Sequence, residues 1–234
     1  MKVTLLTHTP TPEKIVAAAA RCCYSNDDPD KLLDEMTDEK AARFLQKLND
    51  LGHQSPLEHV SFTFSISGVS RALLAQITRH RLASFSVRSQ RYCGFEKSDF
   101  IKPPSIAKSE VNDIFDDSLS QSKSNYDELI DAGIAKEDAR MVLPNASVTS
   151  MVLTMNAREL LHFFSLRCCT RAQWEIRQLA NEMVKIVKRA APNIFQKAGA
   201  ACDQLGYCPE GKFSCGKAPA LDKILEFYNQ HNSR

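Results

Sequence analysis

Hydrophobic and polar residues alternate most cleanly from Val60 to Ser67. Val60, Phe62, Phe64 and Ile66 share one face, and Ser61, Thr63, Ser65 and Ser67 the other. A period of two is that of a half-buried β-strand, ended on this reading by Gly68. Residues 2–7 alternate more weakly and read as a short strand. Ser147–Thr154 reads as another, through Val148, Met151, Val152 and Leu153. Elsewhere the period is helical. Thr11-Pro12-Glu13 offers a hydroxyl cap, a proline and an acid, and opens a helix running to about Cys23. Asn26–Asp30 reads as a loop. Thr37 opens a helix with Ala41, Phe44, Leu45 and Leu48 inward, and Gly52 closes it. Ser70 opens a helix from Arg71 to about His80, packed through Leu73, Leu74 and Ile77. Ser109 opens a long one with Val111, Ile114, Phe115, Leu119, Tyr126, Leu129 and Ile130 inward, ended by Gly133. Lys136–Val142 is a short helix stopped by Pro144. Asn156–Arg167 is a longer one. The last begins near Ala172, carries an apolar stripe of Ile176, Leu179, Met183, Ile186, Val187 and Ala190, and ends near Pro192. Strands and helices together read as an α+β fold, a mixed or antiparallel sheet flanked by long helices.

The chain has 234 residues, 43% of them hydrophobic, enough for one sizeable core. Residues 1–200 read as one domain, with a cysteine-bearing tail at 201–234 as part of the same unit. Lys plus Arg number 30 against 28 acids, so bulk charge points to no long nucleic-acid track. The first residues are too short and polar for a signal peptide, and no apolar run is long enough to span a bilayer. A cytoplasmic protein without membrane or nucleic-acid partners is expected, its cysteines thiols or metal ligands.

Any anion site must then be local, and Arg79–Tyr92 supplies one. Arg79, Arg81, Arg88 and Arg91 alternate with His80, Ser84, Ser86, Ser89 and Gln90, and no carboxylate intervenes. Guanidinium forks and hydroxyls suit phosphates and uracil-like edges. Leu82, Ala83, Phe85, Val87 and Tyr92 run through the segment, which marks it as packed rather than a solvated charge run. Gln76, Arg79 and His80 share a face if the preceding helix continues. A second cluster is His53-Gln54-Ser55-Pro56-Leu57-Glu58-His59, on a turn before the strand. On Asn156–Arg167, at about 100° per residue, Arg158 and His162 share one face. Asn156, Leu160, Phe163 and Arg167 lie nearly opposite.

Arg79-His80-Arg81, seven residues and then Ser89-Gln90-Arg91-Tyr92 resemble the motif of the flavin-dependent thymidylate synthases. His53-x-Ser55-Pro56-x-Glu58-His59, Arg140-x-Val142-Leu143-Pro144, Asn156-x-Arg158 with Arg167, and Gln173-Trp174-Glu175 extend the resemblance over most of the chain. It implies that family's fold, a homotetramer with shared active sites, and reductive methylation of dUMP to dTMP. Methylenetetrahydrofolate gives the carbon, and FAD reduced by NADPH gives the hydride. No enzyme nucleophile is implied. The site is rich in arginine, serine and amide, Cys93 has no evident partner, and Ser89 has no evident general base.

Residue by residue, the resemblance implies that His53, Ser55, Arg79, His80, Arg81, Asn156, Arg158 and His162 hold FAD. Gln76, Arg79, Arg88, Ser89, Gln90, Arg91 and Arg140 hold dUMP. Arg167 polarises the uracil ring and is the catalytic expectation. The chain departs from the family at His162 and Arg171, where asparagine and histidine are common. It departs also at Ser86 and Val87, in place of asparagine and glutamate. The alternatives are a nucleotide- or RNA-binding module without catalysis, and a zinc hydrolase using His53, Glu58 and His59. Separately, Cys202, Cys208 and Cys215 with Cys168 or Cys169 offer thiolates for a structural zinc, or are simply reduced thiols; their spacings match no tight motif.

Overall fold

The computed structural model describes residues 1–95 and 100–232. Its strands are β1 (Lys2–His8), β2 (Ser61–Ser70), β3 (Ala83–Val87) and β4 (Val148–Asn156). They form one antiparallel sheet in the order β1-β2-β4-β3, giving the expected α+β architecture. The helices among the described residues are α1 (Pro12–Cys22), α2 (Pro29–Asp34), α3 (Asp38–Leu51), α4 (Arg71–Ile77), α5 (Pro104–Ala107) and α6 (Asn112–Asp131). They continue as α7 (Lys136–Ala139), α8 (Ala157–Arg167), α9 (Trp174–Ala190), α10 (Ala201–Leu205) and α11 (Leu221–Asn232). Among these residues no helix is long and apolar enough to cross a membrane.

Two compact units interleave in sequence. The first comprises Met1–Lys2, Ser65–Arg79 and Phe85–Leu153; the second comprises Val3–Phe64, His80–Ser84 and Thr154–Arg234. Their sequence boundaries fall inside all four strands, and the cysteine tail lies within the second unit.

The second unit is built on an aromatic chain. His8 stacks on Phe62 with centroids 5.6 Å apart, and Phe62 meets Phe195 edge-on at 5.2 Å. Phe195, Phe164 and Phe163 continue it to His80, whose ring lies 5.1 Å from Phe163. Phe62, Phe163, Phe164 and Phe195 are wholly buried, each worth about 1.5–3 kcal/mol of burial. Ala17, Ala18, Leu32, Met36 and Ala41 join α1, α2 and α3, with Phe44 against them. Helix α8 packs on α9 and on the 3₁₀ turn Ser55–His59. In the first unit, α6 packs on α5, α7 and the 3₁₀ turn Arg140–Val142. There Phe95 touches Phe100 and Tyr126 at 5.4 and 6.0 Å.

Several local expectations need correction. Gly68 does not end β2: it takes φ +68° and the strand runs on to Ser70. Pro29 starts a short helix where a loop is expected, because proline fits the first helical position. Thr11 sits at φ 43° and its hydroxyl caps nothing, whereas Thr37 accepts the Lys40 N–H at 3.3 Å. Ser109 donates back to the Ile106 carbonyl, so α6 starts at Asn112, with Val111 and Ile114 exposed. Helix α4 stops at Ile77, so Gln76, Arg79 and His80 share no helical face: Arg79 is exposed and His80 is buried.

Candidate functional site

In the second unit polar and charged side chains gather along α8, from its N-cap to its last residue. Asn156 is the N-cap of that helix rather than part of its face; its Oδ1 accepts the Glu159 N–H at 2.8 Å. This fixes Glu159 in the first turn, only 6% exposed, with its carboxylate 2.9 Å from His80 Nδ1. On the other side of the ring, Arg167 Nε donates to His80 Nε2 at 3.2 Å. A guanidinium only donates, so Nε2 must accept and Nδ1 must carry the proton that goes to Glu159. His80 is therefore neutral. Burial, chiefly, holds its pKa below the ordinary 6.5, and Arg167 and His162 add to this against the pull of Glu159. Both nitrogens of the His80 ring are thus engaged within the protein, one by Glu159 and the other by Arg167.

The remaining residues of this unit are more open. Arg158 pairs with Glu58 of the Ser55–His59 turn. His53, Ser55, Arg81 and His162 are exposed, and the His162 ring lies 5.8 Å from that of His80. The hydrolase alternative is not supported. Glu58 is taken by Arg158, and the one trio of metal-ligating groups within 4.8 Å among the described residues is His80, Glu159 and His162. Those three do not suit a cation, because the His80 nitrogens are occupied and one faces a guanidinium. Arg171, which departs from the family pattern, pairs with Glu210 and lies 4.5 Å over the Phe213 ring, holding the tail.

The first unit holds a separate cation cluster. Arg71, Gln90, Arg140, Met141, Leu143, Pro144 and Asn145 line a cavity of about 290 Å³. Arg71 was not foreseen. It opens α4, where a cation opposes the helix dipole, and that misfit is the signal the sequence carried. Burial, then the facing Arg140, holds its pKa below the ordinary value. Arg140 Nε donates to the Glu137 carbonyl at 2.9 Å, and no carboxylate pairs with Arg71 or Arg140 among the described residues. Gln90 Nε2 is buried without an acceptor there, as is the Thr149 hydroxyl. Gln90 also borders a cavity of about 40 Å³ with Arg88, Cys93, Phe95 and Thr149.

Two guanidiniums in its lining, Arg71 and Arg140, give the larger cavity a positive character suited to an anion. Ser89 Oγ accepts the Arg91 N–H at 3.2 Å, shaping the turn after β3. Arg91 is turned outward: its Nε lies 2.6 Å from Glu137, and it sits over the Tyr92 ring. Gln76 bonds back to the Ala72 carbonyl.

Residues 4–193 match the family model described as thymidylate synthase complementing protein. The chain is 49% identical over 228 residues to a flavin-dependent thymidylate synthase of Geobacter sulfurreducens, covering 96% of this chain and 98% of that one. It is 47% identical over 241 residues to one from Clostridium tetani, covering 96% of each. An archaeal relative of the same name, from Pyrococcus furiosus, is 39% identical over 219 residues, 90% of each chain.

Proposed function

The chain belongs to the family of flavin-dependent thymidylate synthases, and from that premise we propose which residues carry its reaction. The activity is reductive methylation of dUMP to dTMP, with methylenetetrahydrofolate and NADPH as co-substrates. Bound FAD, once reduced, supplies hydride. A module that grips RNA without chemistry is not favoured.

The dUMP phosphate falls to Arg71 and Arg140, whose charges no carboxylate among the described residues neutralises. Gln90, which lines the same cavity as these arginines, completes the expected set with Arg88, Ser89, Gln76 and Arg79. Arg91 joins on releasing Glu137. Arg167 polarises the uracil ring and stabilises charge at its N3–C4 edge, with its Nε anchored on His80. FAD, a dianionic diphosphate with a flat ring, fits exposed donors of this unit: Arg81, the Ser55 hydroxyl, His53 and His162, with Arg158 joining on release from Glu58. Asn156 uses its oxygen as a cap, so only its amide NH₂ remains for ligand. His80 serves by positioning Arg167.

We place the working form as a homotetramer with shared sites, in the cytoplasm. Large apolar side chains left exposed on the single chain support the assembly: Met141, Leu82, Ile114 and Val111. The partners are small molecules rather than nucleic acid or membrane.

The observation that carries the site assignment is the cavity lined by Arg71 and Arg140, neither of them paired with a carboxylate among the described residues. Arg71→Met and Arg140→Met are expected to raise the KM for dUMP by about 10- to 100-fold, the weight of one or two charge-assisted bonds. The flavin band should still co-elute with protein. A KM unchanged in both variants contradicts the assignment.

A further inference from the structure

Five of the eight cysteines, Cys168, Cys169, Cys202, Cys208 and Cys215, line one cavity in the second unit. They come from three stretches of chain: the end of α8, α10 with the turn after it, and the loop before α11. The thymidylate reaction uses none of them. The cavity measures about 40 Å³, room for an ion or a water rather than an organic ligand. Between residues 201 and 220 only Cys208 is buried. A segment with so little apolar core is ordinarily held by a cross-link or a metal. Its frame is nonetheless well defined. Arg171 clasps Glu210 and Phe213, the Cys208 N–H donates to the Pro219 carbonyl at 2.8 Å, and Lys217 bonds Asp203 at 2.6 Å.

We propose that Cys202, Cys208 and Cys215, with one of Cys168 and Cys169, form a structural Zn²⁺ site. Zinc takes four thiolates tetrahedrally at about 2.3 Å. Four thiolates around one Zn²⁺ carry a net charge of about −2, and Lys217 lines the same cavity. Cys168 and Cys169 both line the cavity, and one of them supplies the α8 sulfur. No three of these sulfurs lie within 4.8 Å of one another. A cysteine turns about one bond, and a rotamer change carries its sulfur about 3 Å, so the site closes on the metal by side-chain rotation. Four Zn–S bonds form, four thiol protons leave to solvent, and no electrons transfer.

The test begins with the zinc content of the full chain purified with reductant and without chelator. Metal-stripped, reduced protein is then titrated with Co²⁺. About one zinc per chain is expected, together with thiolate-to-cobalt charge-transfer absorption saturating near one equivalent. Cys208→Ser, Cys215→Ser and the double variant Cys168→Ser with Cys169→Ser are each expected to lower zinc occupancy at least about tenfold. Protein that carries no zinc and develops no charge-transfer band overturns the proposal. So does a disulfide among these cysteines in metal-free protein, or zinc retained in full by Cys208→Ser and Cys215→Ser. If the serine variants fail to fold, the cobalt titration of the unaltered chain decides.

Discussion

A buried carboxylate is costly unless bonded, and Glu159 directs its oxygen to His80 Nδ1 with both groups almost wholly out of solvent. The carboxylate sets the tautomer, the tautomer makes Nε2 an acceptor, and the acceptor holds Arg167. A bond to a charged group is worth about 1.5–3 kcal/mol. Glu159→Gln is therefore expected to lower kcat by about 10- to 100-fold while the KM for dUMP and flavin retention stay near normal. A kcat equal to that of the parent contradicts the positioning role. His80 also predicts a pH dependence. Its folded pKa lies below the unfolded 6.5, so the unfolded chain binds the proton first as pH falls. The contribution of neutral His80 to stability is thus complete above 6.5 and is lost as pH drops from there toward the folded pKa. Thermal midpoints of the parent should rise with pH through that window and level off above it. His80→Gln should flatten this rise, and an unchanged slope would contradict the buried neutral histidine.

At the scale of elements, caps distinguish stability from function. Thr37 caps α3 and Asn156 caps α8, each through a side-chain oxygen on a backbone N–H. Alanine at either position should cost about 1 kcal/mol of unfolding free energy. Only Asn156→Ala, which frees Glu159, should also lower kcat; equal kcat in the two variants contradicts that link. The elements were largely legible in the sequence because period and punctuation agree. Val60, Phe62, Phe64 and Ile66 are all fully buried, and the Ile176–Leu179–Met183–Val187 stripe faces inward. What failed were choices that depend on tertiary bonding. The hydroxyls of Thr11 and Ser109 are placed like caps but do not act as caps. Gly68 continues a strand because its own backbone freedom accommodates φ +68°. Asn156 and Arg167 were legible as polar residues on α8. Glu159 was not, because an acid in the first turn is ordinarily an exposed partner of the helix dipole. Arg71 was legible only as the first residue of α4, because its share in the cavity depends on Arg140, distant in sequence.

For the whole molecule, sequence gave the family through motifs spread over most of its length, and the comparisons span nearly all of it. The exposed Val111, Ile114 and Met141 belong to that scale too: sedimentation should find a tetramer, and a monomer at working concentrations would contradict the proposed assembly. The most direct test of the account is dTMP formation by the FAD-loaded protein beside its Arg167→Ala variant, with flavin absorbance followed through gel filtration. The account predicts dTMP that depends on dUMP, methylenetetrahydrofolate and NADPH. It also predicts a variant that keeps its flavin and loses turnover by at least about 100-fold. No dTMP from the parent, or normal turnover by Arg167→Ala, would contradict it.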